Sequence, residues 1–206
     1  MKRIIALIAV SSALLLTGCS QVGVAATVGS TKITQATVQK SVDAVLAERA
    51  KVDTTSMQLD TGATLNRNQL RFHLMSALLN DVAADAKVTV TKAEIDSRRA
   101  TLITQVGGQA KLPSALVSAG IASIDFDAYV QLIIASEKIA QAEVAAGVTQ
   151  ANTGVELQRR IIAKANLEKV TVNPRYGKWD SATGDVVATD AASPAATPAA
   201  SATATP

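Results

Sequence analysis

The chain has 206 residues, of which 48% are hydrophobic, only 2% are aromatic, and one each is cysteine and histidine. One cysteine and one histidine cannot assemble a zinc site of the Cys/His type. The formal net charge of +3 falls to +1 without Lys2 and Arg3, because 18 basic and 17 acidic side chains then remain. Most of the basic excess lies at the start of the chain. The rest of the sequence has no cluster of basic residues interleaved with aromatic ones, so we do not expect a nucleic-acid partner.

The first residues have the layout of a bacterial export signal. After the basic start, the apolar run Ile4–Leu16 is shorter than the roughly 20 residues of a permanent membrane helix. The run leads into Leu16-Thr17-Gly18-Cys19, which resembles the bacterial lipobox. We therefore predict that residues 1–18 are a signal peptide and that Cys19, diacylated, becomes the first residue of the mature chain.

The alternative is an ordinary signal peptide followed by an unrelated cysteine. That arrangement would leave an exported protein with one oxidisable thiol, whereas acylation of Cys19 removes the thiol, and with it any Cys–His catalytic pair. Two acyl chains are also what stable anchoring requires, since one chain holds only marginally. The predicted location is the outer face of the bacterial cytoplasmic membrane, with residues 19–24 as a linker.

The first half of the predicted domain, 25–185, begins with a short strand over Ala25–Ile33 that contains a turn at Gly29-Ser30. Thr34 is expected to cap a helix reaching about Val52. Residues 53–65 read as a loop, and Asn66 is expected to open a second helix to about Ala86. Apolar spacing assigns these residues to the inward faces: Val38, Val42, Val45 and Val52, then Leu70, Leu74, Ala77, Leu78 and Val82.

The second half carries several helix boundaries. Thr91 and Glu94 have the spacing of a capping box, and that helix is expected to stop at Gly107-Gly108. A short helix is predicted from Pro113 to Gly120. Asp125 is expected to cap a long helix, a second capping box at Thr153-Gly154-Val155-Glu156 opens the last one to about Leu167, and Lys169–Trp179 reads as a strand leading into a turn.

These elements predict a mainly α fold: an irregular bundle of five or six helices, with a two-stranded clasp that pairs the two ends of the domain. The remaining residues, 186–206, form the predicted tail. From Ala191 onward it contains only Ala, Thr, Ser and Pro, a composition with no large apolar side chains to offset its ordering entropy. We therefore expect this tail to be disordered.

No catalytic constellation is evident. His73 lies between Phe72 and Leu74 in a helical stretch, so we interpret it as a partly exposed helical residue. Asp125 and Asp127 flank Phe126 at a helix start, where capping and the helix dipole account for them. Solvated surface accounts for the remaining charged candidates, which are Asp81, Asp85, Glu94, Arg159 and Arg160. No metal, cofactor or small-molecule substrate is predicted.

The order of the segments resembles the N-terminal, peptide-binding domain of SurA-type periplasmic chaperones, as in PrsA-like lipoprotein foldases. Four stretches carry the resemblance: 26–34, where a strand runs into Ile33-Thr34; the leucine-rich helix 70–86; Val88-Thr89-Val90-Thr91 leading to Glu94-Ile95; and the closing segment 172–180. The closing segment is similar to that of actinobacterial lipoproteins of this group, which implies a Gram-positive actinobacterium.

The resemblance implies an ATP-independent holdase that binds unfolded or nascent exported proteins in an apolar cleft between helices. The foldases of this family also carry a parvulin prolyl-isomerase domain, and the segments here leave no room for one, so an enzyme is not expected. Two alternatives stay open: a structural or assembly lipoprotein that binds one envelope partner, and a prolyl isomerase by descent. Residues that contact clients are not assigned at this point.

Overall fold

A computed structural model describes residues 22–189, and within that range the chain forms six α-helices and five β-strands. The helices are α1 (Gln35–Arg49), α2 (Gly62–Asp85), α3 (Lys92–Gln105), α4 (Leu112–Ala119), α5 (Phe126–Ala145) and α6 (Thr153–Leu167). The strands are β1 (Val24–Val28), β2 (Thr31–Thr34), β3 (Thr171–Val172), β4 (Lys178–Asp180) and β5 (Asp185–Val187). The mainly α class is confirmed. The lipobox, including Cys19, and residues 190–206 of the predicted tail lie outside the described residues.

The predicted clasp is present and is larger than expected. β1 pairs antiparallel with both β2 and β3, so that Ala26 lies opposite Val172 in a three-stranded sheet of order β2-β1-β3. The β1–β2 turn includes Gly29, whose φ of 55° suits a residue without a Cβ. The two ends of the domain are therefore tied by backbone hydrogen bonds.

A second hairpin, β4–β5, was not predicted. Trp179 pairs with Val186 in it, and Val186 is only 3% exposed. The predicted start of the tail at residue 186 is therefore wrong, because Val186 and Val187 complete this hairpin and bury apolar surface against the helices.

Several helix boundaries follow the local capping chemistry. The Thr34 hydroxyl accepts a hydrogen bond from the Thr37 amide at 3.0 Å, and the Thr91–Glu94 capping box is formed in both directions. α4 has a proline in its first turn and ends at Gly120 in the left-handed conformation, with φ at 68°.

Two other boundaries differ from the prediction. α2 begins at Gly62 rather than Asn66, because helical geometry there places Leu65 in the core at 2% exposure. The capping box at Thr153 is also wrong. A 3-10 turn at 150–152 makes Thr153 the first helical residue, its hydroxyl donates to the Gln150 carbonyl, and Glu156 pairs with arginines instead.

The core has two parts. The larger one surrounds α2, whose Leu70, Leu74 and Leu78 are at most 1% exposed. The smaller one lies between α4 and α5 and includes Phe126 and Val130. α3 contributes no buried residue to either and lies against α5 through half-buried side chains and ion pairs.

Candidate functional site

A cleft of about 470 Å³ lies between α2, α5, the α4–α5 connection and the β4–β5 hairpin. Its floor is made by buried core residues that include Leu74 and Val186. The apolar side chains of its walls are only half-buried: Phe72, Met75, Ile121, Tyr129, Leu132, Ile133 and Trp179. The cleft therefore presents a mainly apolar surface that the rest of the described chain leaves partly open.

Three of the five aromatic residues in the sequence line this cleft. They are Phe72, Tyr129 and Trp179, whereas Phe126 and Tyr176 are buried at 5% exposure. The Trp179 Nε1 is itself buried and has no hydrogen-bond partner within residues 22–189. In a chain this poor in aromatic residues, their concentration at one partly open surface marks it as the candidate binding site.

Two polar contacts hold the walls of the cleft in place. Arg71 on α2 pairs with Asp185 on β5 across 2.5 Å, which joins the hairpin to the helix. Gln69, only 4% exposed, donates from Nε2 to the Gly120 carbonyl at 2.9 Å and fixes the end of α4 against α2. These two contacts hold the β4–β5 hairpin and the end of α4 against α2, although these elements are far apart in the sequence.

Asp125 lies in the same wall, and its role differs from the predicted one. Its side chain makes no capping hydrogen bond to α5. Instead it accepts a hydrogen bond from the Ser41 hydroxyl at 2.5 Å, and the Ser41 oxygen is also 2.9 Å from His73 Nε2. Asp125 therefore occupies the predicted N-cap position of α5, but the predicted capping role of its side chain is wrong, because the carboxylate accepts from Ser41 on α1 instead.

His73 is a partly exposed residue of α2, as predicted, with 15% of its side chain accessible. Burial lowers the pKa of His73 below its ordinary value of 6.5, and the nearby Asp125 carboxylate offsets part of that effect. Because the single Ser41 proton goes to Asp125, the neutral imidazole must donate its Nε2 proton to Ser41.

This arrangement of serine, histidine and aspartate is not that of a catalytic triad. In a catalytic triad the imidazole lies between the two other groups and removes the serine proton. Here Ser41 is in the middle, its proton is committed to Asp125, and it is 1% exposed. The trio joins α1, α2 and the start of α5 behind the cleft wall.

Among the remaining charged candidates, Glu94, Asp85 and Arg160 take part in ion pairs between elements. Arg159 pairs with Glu156 within α6, and Asp81 has no Lys or Arg within ion-pair distance among residues 22–189. Glu94 pairs with Lys138 at 2.5 Å, and hydrogen bonds from Lys138 and Thr91 lower the pKa of Glu94 to about 2. Asp85 pairs with Lys164. Arg160 lies 2.6 Å from Glu143, whose side chain is 5% exposed, so the reading of Arg160 as simple solvated surface is wrong.

Within residues 22–189, no group of three or more His, Cys, Asp or Glu side chains is arranged to hold a metal ion. In the same range, no single helix is long and apolar enough to cross a membrane. The segments Leu112–Ala119 and Ser123–Ala145 reach that threshold only together, with a bend of 92° between them.

Comparison with known proteins gives no relative for this chain: no family model, no curated protein and no solved structure matches it.

Proposed function

We propose that the chain is an extracytoplasmic chaperone of the holdase type, which binds unfolded exported proteins without ATP while held at the membrane by lipid on Cys19. The observation that carries this proposal is the partly open cleft with its aromatic and aliphatic walls. The four stretches that resemble SurA-type domains support it from the sequence.

The chemistry of the cleft suits weak binding of many segments. Burial of apolar surface contributes about 25 cal/mol per Å², and ordering an unfolded client offsets much of that gain. Met75 in the wall has a flexible, unbranched side chain that adapts to different occupants, while Leu132 and Ile133 supply aliphatic surface. Holdase binding needs this combination of low specificity and fast release.

An aggregation assay with matched variants tests the proposal. The mature chain without lipid, residues 20–206, should slow aggregation of an unfolded model protein at stoichiometric amounts. Ile133→Asp places a charge in the cleft wall and should lower this protection, whereas Val155→Asp on α6, where Val155 is 71% exposed and outside the cleft, should not. Circular dichroism and melting confirm that each variant is folded.

The outcomes separate the alternatives. A folded wild-type chain that gives no protection would overturn the holdase proposal. Equal protection by the two variants would show that clients bind to a surface other than the cleft. A pull-down dominated by one folded envelope protein would favour an assembly lipoprotein instead.

The lipid anchor and the absence of isomerase activity are tested separately. Labelled palmitate should be incorporated into the wild-type chain and not into Cys19→Ser, and only the former should stay with the membrane fraction. We also propose that the chain is not a prolyl isomerase, so that isomerisation of a proline peptide should run at the uncatalysed rate in its presence.

A further inference from the structure

The cleft carries an unbalanced negative charge. Its lining includes Asp60, Asp125 and Asp185 but only one basic residue, Arg71, and that guanidinium is paired with Asp185. Within residues 22–189, neither the Asp60 nor the Asp125 carboxylate has a Lys or Arg within ion-pair distance, and the Arg49 guanidinium donates to the backbone carbonyl of Asp60. An apolar cleft with surplus carboxylates favours an occupant that brings a positive charge.

Asp125 is the better placed of the two carboxylates. Its side chain is 15% exposed, so it is screened by solvent less than a surface aspartate. The Ser41 hydroxyl occupies Oδ2, while Oδ1 makes no hydrogen bond within the described residues. One oxygen therefore remains for a ligand, at a position where a charge-assisted hydrogen bond is strong.

The surroundings of Asp125 suit the stem of a basic side chain. Asp125 directly precedes α5, Tyr129 lies in the first turn of that helix, and both residues line the cleft. The methylenes of a lysine or arginine pack on apolar walls while the charged end reaches a polar group. The tyrosine ring also attracts a nearby cation.

We infer that the cleft takes extended segments in which a Lys or Arg lies between apolar residues, with the cation against Asp125 and the apolar neighbours against the aromatic and aliphatic walls. In an extended chain the residues at i and i+2 point to the same side, so the apolar residues lie two positions from the basic one. This inference rests on the proposed function and names the class of client segment.

The only tryptophan in the chain reports on the cleft directly, because Trp179 is part of its wall. Its fluorescence would be titrated with blocked heptapeptides that contain no tryptophan, Ala-Leu-Ala-X-Ala-Leu-Ala, with X as Lys, Gln or Glu. The Lys peptide should bind about tenfold more tightly than the Gln peptide, as expected for a hydrogen-bonded charge pair, and the Glu peptide more weakly still. High salt should shrink the difference.

Two carboxylate variants identify the anchor. Asp125→Asn retains an acceptor for Ser41 and should reduce the preference for Lys to near unity. Asp127→Asn should keep the preference, because Asp127 is 62% exposed, lies outside the cleft lining and pairs with Arg99 at 3.6 Å. Melting curves establish that both variants are folded, and the salt dependence in the wild-type chain gives an independent reading if Asp125→Asn is not.

The results distinguish this inference from the proposed function. If all three peptides bind equally, with no salt dependence and no effect of Asp125→Asn, the inference is overturned while the holdase proposal stands. If no peptide binds and aggregation is not slowed, both fail. A preference for Lys that Asp127→Asn removes and Asp125→Asn leaves intact also contradicts the assignment of Asp125.

Discussion

The hydroxyl of Ser41 donates a hydrogen bond to the carboxylate of Asp125 across 2.5 Å, and this contact joins α1 to the start of α5. The two residues are 84 positions apart in the sequence. Because Asp125 also lines the cleft, the contact fixes one wall of the candidate binding site from behind.

Removal of this hydroxyl should destabilise the fold. Ser41→Ala leaves the largely buried Asp125 carboxylate without its donor, and we expect the free energy of unfolding to fall by about 1–2 kcal/mol. Urea unfolding monitored by circular dichroism measures the change. Ser123→Ala is the control, since Ser123 is exposed and its hydroxyl makes no hydrogen bond within the described residues. Equal losses for the two variants would contradict a structural role for the Ser41–Asp125 contact.

His73 should make stability depend on pH in a defined direction. Its pKa is lowered by burial, so the unfolded chain takes up a proton near pH 6.5 while the folded chain does not. The free energy of unfolding should therefore fall as pH drops from about 7 to about 5.5. His73→Gln keeps an NH donor for Ser41 without a titrating group and should flatten this dependence.

The chain has one histidine, which makes the measurement direct. An NMR titration of the single imidazole should give a pKa below 6.5, and urea midpoints across the same pH range should show the loss of stability. A measured pKa at or above 6.5 would mean that the attraction of Asp125 outweighs burial.

Much of the fold could be predicted from local chemistry. The Thr91–Glu94 capping box and the left-handed Gly120 each set a helix boundary through residues that are neighbours in the sequence, so these boundaries could be predicted. Boundaries set by tertiary burial were missed, as at Leu65, whose place in the core extends α2 backwards. The β4–β5 hairpin was also missed, although the turn residues Thr183-Gly184 ahead of Val186 are a signal for it.

The candidate site was less accessible to sequence reasoning. Its walls come from α2, α5 and the last hairpin, and no local pattern brings Phe72, Tyr129 and Trp179 together. The half-buried state of these residues depends on packing, which periodicity alone does not separate from full burial. The one available signal in the sequence was the scarcity of aromatic residues, because each of so few aromatic side chains is a candidate for a binding surface.

Gly177 should be intolerant of a side chain. Its φ is 135°, and a Cβ there would lie 2.2 Å from the carbonyl oxygen of Val187. Gly177→Ala should therefore push β5 away from β4, lower the free energy of unfolding by about 2–3 kcal/mol and shift the fluorescence of Trp179 as its hairpin opens. Gly108→Ala is the matched control, because its φ of 95° is also positive but nothing lies within 4 Å of the new Cβ. If Gly177→Ala lowered the free energy of unfolding no more than the control, the hairpin would accommodate the new Cβ beside Val187 without a loss of stability.

Glu94 should control local opening of α3. This helix has no buried residue, and its first turn is held by the capping box and the Lys138 ion pair. Glu94→Ala should accelerate amide hydrogen exchange in α3 while leaving the core of α2 protected, because helices with few buried contacts open separately from the core. Asp96→Ala removes an exposed ion pair with Lys92 on the same helix and should have little effect.

The protection of α3 should also depend on pH. Since the pKa of Glu94 is lowered to about 2, its contribution to the stability of α3 is complete above pH 4.5 and is lost as pH falls toward 2. If Glu94→Ala accelerated hydrogen exchange in α2 as much as in α3, or if Asp96→Ala had an equal effect, α3 would not open as a separate unit through its first turn.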